Sequence, residues 1–236
     1  MEILKMKTGS KAYIKFTGLF YLLIAIIGGF SIGYMPSEIF VSGDGVATTQ
    51  NIMNNMSLFR LGIAGDIFVL IFEVLLTVML YRLFKAVSGT IAMIAIFARF
   101  AMSIIMGINL INYLIPLLVL SKIDYLIGFE TNETNSIILL FMEAHKFGEY
   151  IWQLFFGIHL IALGYLILKS NCFPKFLGIL MIIGSIGYAS DSLLRLLIIN
   201  NTTVSYITTA LLVFAVIGEL AFALWLLIKP IKLEKI

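Results

Sequence analysis

Charged residues and cysteines are both scarce in this chain of 236 residues. Only 12% of the residues are charged and 61% are hydrophobic, whereas an ordinary soluble domain has about 25% and about 45–50%. The single cysteine, Cys172, excludes an intrachain disulfide and any zinc or redox motif built from several cysteines. No run of lysine and arginine alternates with aromatic residues, so nucleic acid is not an expected partner. The composition favours an integral membrane protein.

Six apolar segments are long enough to cross a bilayer, which takes about 20 residues per helix. Because backbone polar groups must be satisfied inside the membrane, such segments span it as helices. We therefore predict an all-α membrane protein, a single domain over 1–236 that is a bundle of six transmembrane helices. The predicted helices lie at about 12–34, 58–86, 90–120, 135–168, 175–199 and 203–229, and the connection 35–57 is predicted to contain a short interfacial helix.

The basic residues near the helix ends lie mostly on one side of this predicted bundle. The opposite side has only Lys122, with Arg60 at a helix end. Since cytoplasmic loops are enriched in lysine and arginine, both termini are predicted to be cytoplasmic. The composition, rich in isoleucine, lysine and asparagine, suggests a bacterial plasma membrane. The eleven residues on the cytoplasmic side are Lys5, Lys7, Lys11, Lys15, Arg82, Lys85, Lys169, Lys175, Lys229, Lys232 and Lys235.

Polar residues inside the spans fall into two layers when depth is counted at about 1.5 Å per residue. A charge near the bilayer centre costs roughly 2.5–3.5 kcal/mol, so these side chains must pair, line a watery cavity or carry out a function. The outer layer is the predicted ligand site. It comprises Arg60, Asp66, Asn109, Asn112, His145, Glu149, Asp191 and Arg195.

A second layer lies about 15–20 Å from the inner face, counted with the same helical rise. It comprises Glu73, Arg99, His159 and Glu219 and is predicted to form an inner gate or proton acceptor. Helix phase supports both layers. His145 and Glu149 are separated by one turn, and Asp66 and Glu73 by two turns. Pro116 is expected to kink the third helix and free the Asn112 carbonyl.

The same residues also allow structural interpretations, which the sequence leaves open. Polar side chains between membrane helices often serve only to hold the helices together through hydrogen bonds. Asp191 with Arg195, and Glu73 with Arg99, could be structural ion pairs, and His159 could be a satisfied histidine of the bundle interior.

Metal binding has weak sequence support. His145 and Glu149 could ligate one ion, completed by Asp66 or Asp191, but no H-E-x-x-H motif is present. His145 and His159 lie about 21 Å apart along one helix and cannot share a haem. No nucleotide or serine-hydrolase motif is found. No cofactor is predicted.

Several short motifs together resemble a known family. They are Leu58-Phe59-Arg60-Leu61-Gly62 with Asp66, Ala144-His145-Lys146-Phe147-Gly148, Phe155-Phe156-Gly157-Ile158-His159 with Gly164-Tyr165-Leu166, Pro174 with Leu177-Gly178, Gly187-Tyr188 with Asp191, and Gly218-Glu219 with Leu224-Trp225-Leu226-Leu227. On these residues the chain resembles the bacterial DUF4386 membrane proteins over nearly its whole length. The resemblance implies a polytopic helical membrane protein and no assigned activity.

Three functional hypotheses remain. The leading one is a multi-pass protein that binds or passes a small polar or ionic ligand through an ionisable cavity open to the outside. The second is an intramembrane enzyme, metal-assisted in one form, with His145, Glu149 and an aspartate as ligands. The third is a structural or accessory subunit. The expected partners are the lipid bilayer and that ligand, and a homo-oligomer is left open.

Overall fold

The computed structural model describes residues 10–121, 130–199 and 202–229, except for the side chain of Ser205. The structural description below is confined to this part of the chain. Five of the basic residues used to predict the orientation lie outside the described residues: Lys5, Lys7, Lys122, Lys232 and Lys235.

Six helices in the described residues are long and apolar enough to cross a membrane. They confirm the predicted all-α class with six spans and make the protein a multi-pass membrane protein. The spans are Lys11–Ile39, Met56–Phe84, Gly89–Leu120, Thr131–Lys169, Lys175–Leu196 and Thr202–Ile228.

Two spans are irregular. The first consists of α1 (Lys11–Gly28), a π-helical segment (Gly29–Tyr34) and a short α2 (Met35–Ile39). The third divides into α5 (Gly89–Asn109) and α6 (Ile111–Leu120) at Leu110. Pro116, expected to bend this span, lies within α6, so the helix is interrupted upstream of the proline.

The connection after the first span contains another helix, α3 (Gly45–Asn54). Asp44 begins it: its carboxylate accepts a hydrogen bond from the Ala47 backbone N–H, which is the usual role of an N-cap residue. Four long helices complete the fold, namely α4 (Met56–Phe84), α7 (Thr131–Lys169), α8 (Lys175–Leu196) and α9 (Thr202–Ile228).

The chain divides into two compact units. Unit 1 comprises the described residues of 1–25, 71–103 and 150–236, and unit 2 comprises residues 26–70 and 104–149. The division falls inside α1, α4, α5 and α7, so these four helices contribute residues to both units.

Unit 1 contains an aromatic cluster and a closely packed helix pair. The rings of Phe84, Phe173 and Phe222 lie with their centroids 5.3–6.3 Å apart. Helices α8 and α9 approach closely at Gly184, where a Cβ atom would overlap Ala215. Small residues allow this approach, and the resulting van der Waals contact replaces the hydrophobic force that is absent between helices in lipid.

Unit 2 has an apolar core that joins α3 to the spans. Ile52 of α3 is fully buried and packs with Phe59, Tyr113 and other buried side chains. This packing fixes the connection between the first two spans on the rest of the unit. The other buried members of the core are Met35, Ile39, Ile63, Leu110, Ile138 and Met142.

Large apolar side chains are exposed along the spans in both units. Phe97 is 64% exposed in unit 1, and Ile108 is 65% exposed in unit 2. In a membrane-spanning helix these side chains contact lipid, whereas four charged residues within the spans are buried: Asp66, Glu73, Arg99 and Asp191.

Replacing Gly184 by alanine should destabilise the protein, because the added methyl group must push α9 away at Ala215. Overpacking of this kind costs about 1–3 kcal/mol. The measurement is thermal unfolding of the purified protein in detergent. Gly89→Ala is the control, because nothing lies within 4 Å of a Cβ at Gly89. Equal unfolding temperatures for the two variants would contradict the close packing of α8 and α9.

Candidate functional site

Unit 2 contains a cavity of about 190 Å³ that is lined by both charged and aromatic residues. Ser37, which is exposed, lies at its rim. The size suits a small molecule or several waters, since one water occupies about 30 Å³ in the liquid. The lining residues are Pro36, Ser37, Phe40, Tyr113, Met142, His145, Lys146 and Glu149.

His145 and Glu149 lie one turn apart on α7, as their sequence spacing predicts. His145 Nδ1 and Glu149 Oε1 are 3.6 Å apart, which is too long for a direct hydrogen bond. The Tyr113 ring stacks on the imidazole with a centroid separation of 3.5 Å. The imidazole is therefore held in place by the tyrosine, while His145 Nδ1 and Glu149 Oε1 form no direct hydrogen bond with each other.

Two asparagines hold α7 behind this pair. Asn109 Nδ2 donates to the His145 carbonyl over 2.8 Å, and Asn112 Nδ2 donates to Asn109 Oδ1 over 2.8 Å. Gly148 makes room for the Asn109 amide, which a Cβ atom would overlap. Both asparagines were predicted to bind ligand, and in this structure they position the helix that carries His145.

The opposite wall of the cavity comes from the end of the first span. The Lys146 ammonium lies 5.3 Å from the centroid of the Phe40 ring, a cation–π distance. The chain beyond Phe40 is tied to α7, because the Ser42 hydroxyl donates to Glu143 Oε1 over 2.8 Å and the Gly43 N–H donates to the same atom over 3.3 Å.

Asp66 is nearly buried, with 6% exposure. Within the described part of the chain it forms no ion pair with lysine or arginine. Glu149 and Tyr113 are the titratable groups of the same unit that lie close enough to interact with its carboxyl. Arg60, another member of the predicted outer layer, is exposed.

Asp191 and Arg195 of the predicted outer layer belong to unit 1. Arg195 Nε lies 3.5 Å from Asp191 Oδ1, and the Thr208 hydroxyl donates to that oxygen over 3.3 Å. Arg195 is 47% exposed, so the pair lies at the edge of its unit. The predicted set is thus distributed over both units, with six of its members in unit 2: Arg60, Asp66, Asn109, Asn112, His145 and Glu149.

The predicted inner layer comes together in unit 1 around Arg99, which is 1% exposed. Arg99 Nη2 donates to Glu73 Oε1 over 2.9 Å. Arg99 Nε and Glu73 Oε2 are 2.6 Å apart, an ion-pair contact with a bent rather than linear geometry. The two side chains meet through two pairs of atoms, as planar guanidinium and carboxylate groups favour.

His159 completes the surroundings of the guanidinium. Arg99 Nη1 and His159 Nε2 are 2.9 Å apart. Because a guanidinium only donates hydrogen bonds, His159 Nε2 must accept, and the ring proton is therefore on Nδ1. His159 Nδ1 donates this proton to the Ala95 carbonyl over 2.9 Å. The geometry thus fixes a neutral histidine.

Aromatic rings cover the faces of the same guanidinium. Its central carbon lies 5.1 Å from the Tyr21 ring centroid and 5.7 Å from that of Phe156. The Tyr21 hydroxyl donates to Glu219 Oε1 over 2.8 Å, which links Glu219 to the cluster. Each charged member of the layer has a partner, so this arrangement meets the requirements of a structural network.

Sequence reasoning missed the aromatic residues in both places. Tyr21 connects Glu219 to Arg99, and Tyr113 and Phe40 line the cavity. The chain has 10 tyrosines and 19 phenylalanines, so composition alone did not distinguish these three. Tyr113 follows Asn109 by one helical turn, which was the one available signal.

Among the described residues, no three histidine, cysteine, aspartate or glutamate side chains are grouped so that they could hold a metal ion. Within the described residues, His145 and Glu149 therefore have no third such side chain with which to hold a metal ion.

Comparison with known protein families shows to which family the chain belongs. The model described as "Domain of unknown function (DUF4386)" matches residues 16–229. The chain belongs to the DUF4386 family. An uncharacterised protein of the archaeon Archaeoglobus fulgidus is similar to this DUF4386 protein, with 42% identity over 83 residues. The match covers 35% of this chain and 46% of the archaeal protein, so the chain matches about half the length of that relative. No solved structure matches the chain.

Removing one partner of the buried ion pair should destabilise this DUF4386 protein more than removing both. Arg99→Met leaves Glu73 buried without its partner, and breaking such a pair costs about 3–5 kcal/mol. The double variant Arg99→Met/Glu73→Met should regain most of this loss in thermal unfolding in detergent. Arg60→Met, at an exposed position, is the control. A double variant no more stable than Arg99→Met would show that the pair is not a structural unit.

Proposed function

We propose that this DUF4386 protein binds a small zwitterionic molecule in the unit 2 cavity. The observation that carries the proposal is the lining: one ammonium group (Lys146), one carboxylate (Glu149) and an imidazole beside aromatic rings, around about 190 Å³. Ligand sites in proteins combine apolar walls with a few polar groups that fix orientation.

The balance of charge in the lining favours a ligand with one positive and one negative group. Lys146 provides one positive charge and Glu149 one negative charge, and both line the same space. A ligand carboxylate would pair with Lys146 and a ligand ammonium group with Glu149. Neither partner would then leave an unpaired charge in the membrane-spanning region, where one is costly.

The gap between His145 and Glu149 supports the same proposal. At 3.6 Å the two groups are neighbours without a direct hydrogen bond. Glu149 Oε1 therefore retains hydrogen-bonding capacity for a ligand. The stacked Tyr113 ring and the Asn109 contact hold the imidazole and its helix in place beforehand, which reduces the entropy lost on binding.

We place the cavity on the outer side of a bacterial plasma membrane, with both termini in the cytoplasm. This orientation rests on the distribution of lysine and arginine along the chain. Four further possibilities stay predictions: passage of the ligand across the membrane, a homo-oligomeric assembly, an enzymatic activity and an accessory role.

Glu149→Gln and Lys146→Met should each weaken binding of a small zwitterion. Loss of one charge-assisted contact corresponds to about 1.5–3 kcal/mol, which is roughly a tenfold to hundredfold weaker affinity. Isothermal titration of the purified protein with glycine and trimethylglycine measures the effect, and methylamine and acetate serve as the singly charged comparisons.

The matched controls for this titration lie on the same helix. Glu133→Gln changes an exposed carboxylate in the first turn of α7, and Lys169→Met changes a lysine in its last turn. Both should bind like the unchanged protein. Heat of binding from methylamine or acetate alone, or zwitterion binding that survives both cavity substitutions, would refute the zwitterion proposal.

The proposed orientation can be measured with single cysteines in a Cys172→Ser background. Gln50 and Ala86 are both exposed, and the orientation places Gln50 outside and Ala86 inside. A maleimide that cannot cross the membrane should label Gln50→Cys in intact cells and label Ala86→Cys only after the cells are opened. The reverse pattern would invert the topology.

A further inference from the structure

A second feature of unit 2 lies away from the cavity lining, where the first span meets α4. The Ser31 hydroxyl neighbours the Asp66 carboxyl. Ser31 is fully buried and Asp66 is 6% exposed. Neither Ser31 Oγ nor Asp66 Oδ1 completes a hydrogen bond of normal geometry. Buried polar atoms in native proteins are nearly always paired, so these two oxygens require an explanation.

The backbone next to these oxygens is also unusual. Ser31 lies in the π-helical segment Gly29–Tyr34, where hydrogen bonds run between residues five apart; the Met35 N–H donates to the Phe30 carbonyl, for example. Short π-helical segments inside α-helices occur frequently at functional sites. Membrane transporters use a different irregularity, discontinuous helices with unwound backbone, to present carbonyl oxygens to Na⁺.

Asp66 contributes one negative charge at this place. Asp66 has no lysine or arginine partner within the described residues, and Glu149 and Tyr113 are the titratable groups that interact with it. A buried carboxylate without a partner costs several kcal/mol. A monovalent cation would neutralise it, whereas a divalent cation would leave a net positive charge. The donors are all oxygen, which hard cations prefer.

Close packing at this place excludes a bulky ligand. Helix α4 approaches the π-helical segment so closely at Gly65 that a Cβ there would lie 2.9 Å from Ser31 Cβ. A hydrogen bond from Ser31 to Asp66 would satisfy both oxygens and leave the carboxylate charge uncompensated, whereas a cation between them would satisfy both oxygens and also neutralise the charge.

We propose that Asp66, Ser31 and the backbone of the π-helical segment bind one Na⁺ ion. Asp66 provides the charge, Ser31 provides a hydroxyl ligand, and backbone carbonyls and water complete the coordination. Neither Asp66 nor Ser31 lines the zwitterion cavity, so the Na⁺ proposal does not rest on the zwitterion proposal.

The test is the unfolding temperature of the full chain in detergent, at fixed pH and ionic strength, in NaCl, KCl and choline chloride without other ligands. Na⁺ should raise the unfolding temperature with a saturable concentration dependence, because a ligand that binds only the folded state stabilises it. K⁺ and choline should have no such effect. Direct binding of radioactive ²²Na⁺ to the unchanged protein should reach one ion per chain.

Variants assign the ion to this place. Asp66→Asn should abolish both the Na⁺-dependent stabilisation and the ²²Na⁺ binding. Ser31→Ala should weaken the affinity several-fold, and Glu38→Gln, an exposed carboxyl of the same unit, should leave it unchanged. Equal unfolding temperatures in the three salts, with no ²²Na⁺ bound, would overturn the proposal. So would Na⁺ binding that persists in Asp66→Asn, or a response to pH alone, which would identify a proton site.

Discussion

The ion pair between Arg99 and Glu73 is the constraint on which unit 1 depends. A guanidinium that is 1% exposed in a chain with 61% hydrophobic residues has no access to water. It therefore must find all of its partners within the protein. Glu73 meets it through two pairs of atoms, His159 accepts a further hydrogen bond, and Tyr21 and Phe156 cover its faces. These contacts join α1, α4, α5 and α7 at one point.

The polar residues of unit 2 are arranged differently from those of unit 1. Its buried acid, Asp66, has no basic partner within the described residues, and His145 and Glu149 stand 3.6 Å apart beside a cavity. In unit 1 the polar groups satisfy one another and stabilise the fold. In unit 2 several of them retain unused hydrogen-bonding capacity. Since unsatisfied polar groups are costly within a membrane, this difference is why both proposals concern unit 2.

Much of the fold was predictable from the sequence, because the length of an apolar segment is a direct consequence of bilayer thickness. All six spans have counterparts among the predicted segments. The site was less predictable. Counting depth along helices placed Glu73, Arg99, His159 and Glu219 in one layer, and in the structure these side chains are linked around Arg99. It could not separate Asp191 and Arg195 from Asp66, because depth does not tell which helices are neighbours.

The family comparison and the structure support each other without supplying an activity. The family model covers residues 16–229 and describes a domain of unknown function. Six residues of the quoted motifs lie in the two predicted polar layers: Arg60, Asp66, His145, His159, Asp191 and Glu219. In the structure His145 lines the cavity, and His159 and Glu219 belong to the network around Arg99.

The sequence by itself determined that this is a six-span membrane protein and which residues are too polar to face lipid. Both follow from transfer free energies that depend on residue type and segment length alone. Only the tertiary structure decided the partners: that Tyr21 joins Glu219 to Arg99, that Tyr113 stacks on His145, and that Ser31 stands beside Asp66. Helix rotation, the π-helical segment and the interruption at Leu110 set these contacts. They result from packing between distant parts of the chain, which no local pattern encodes.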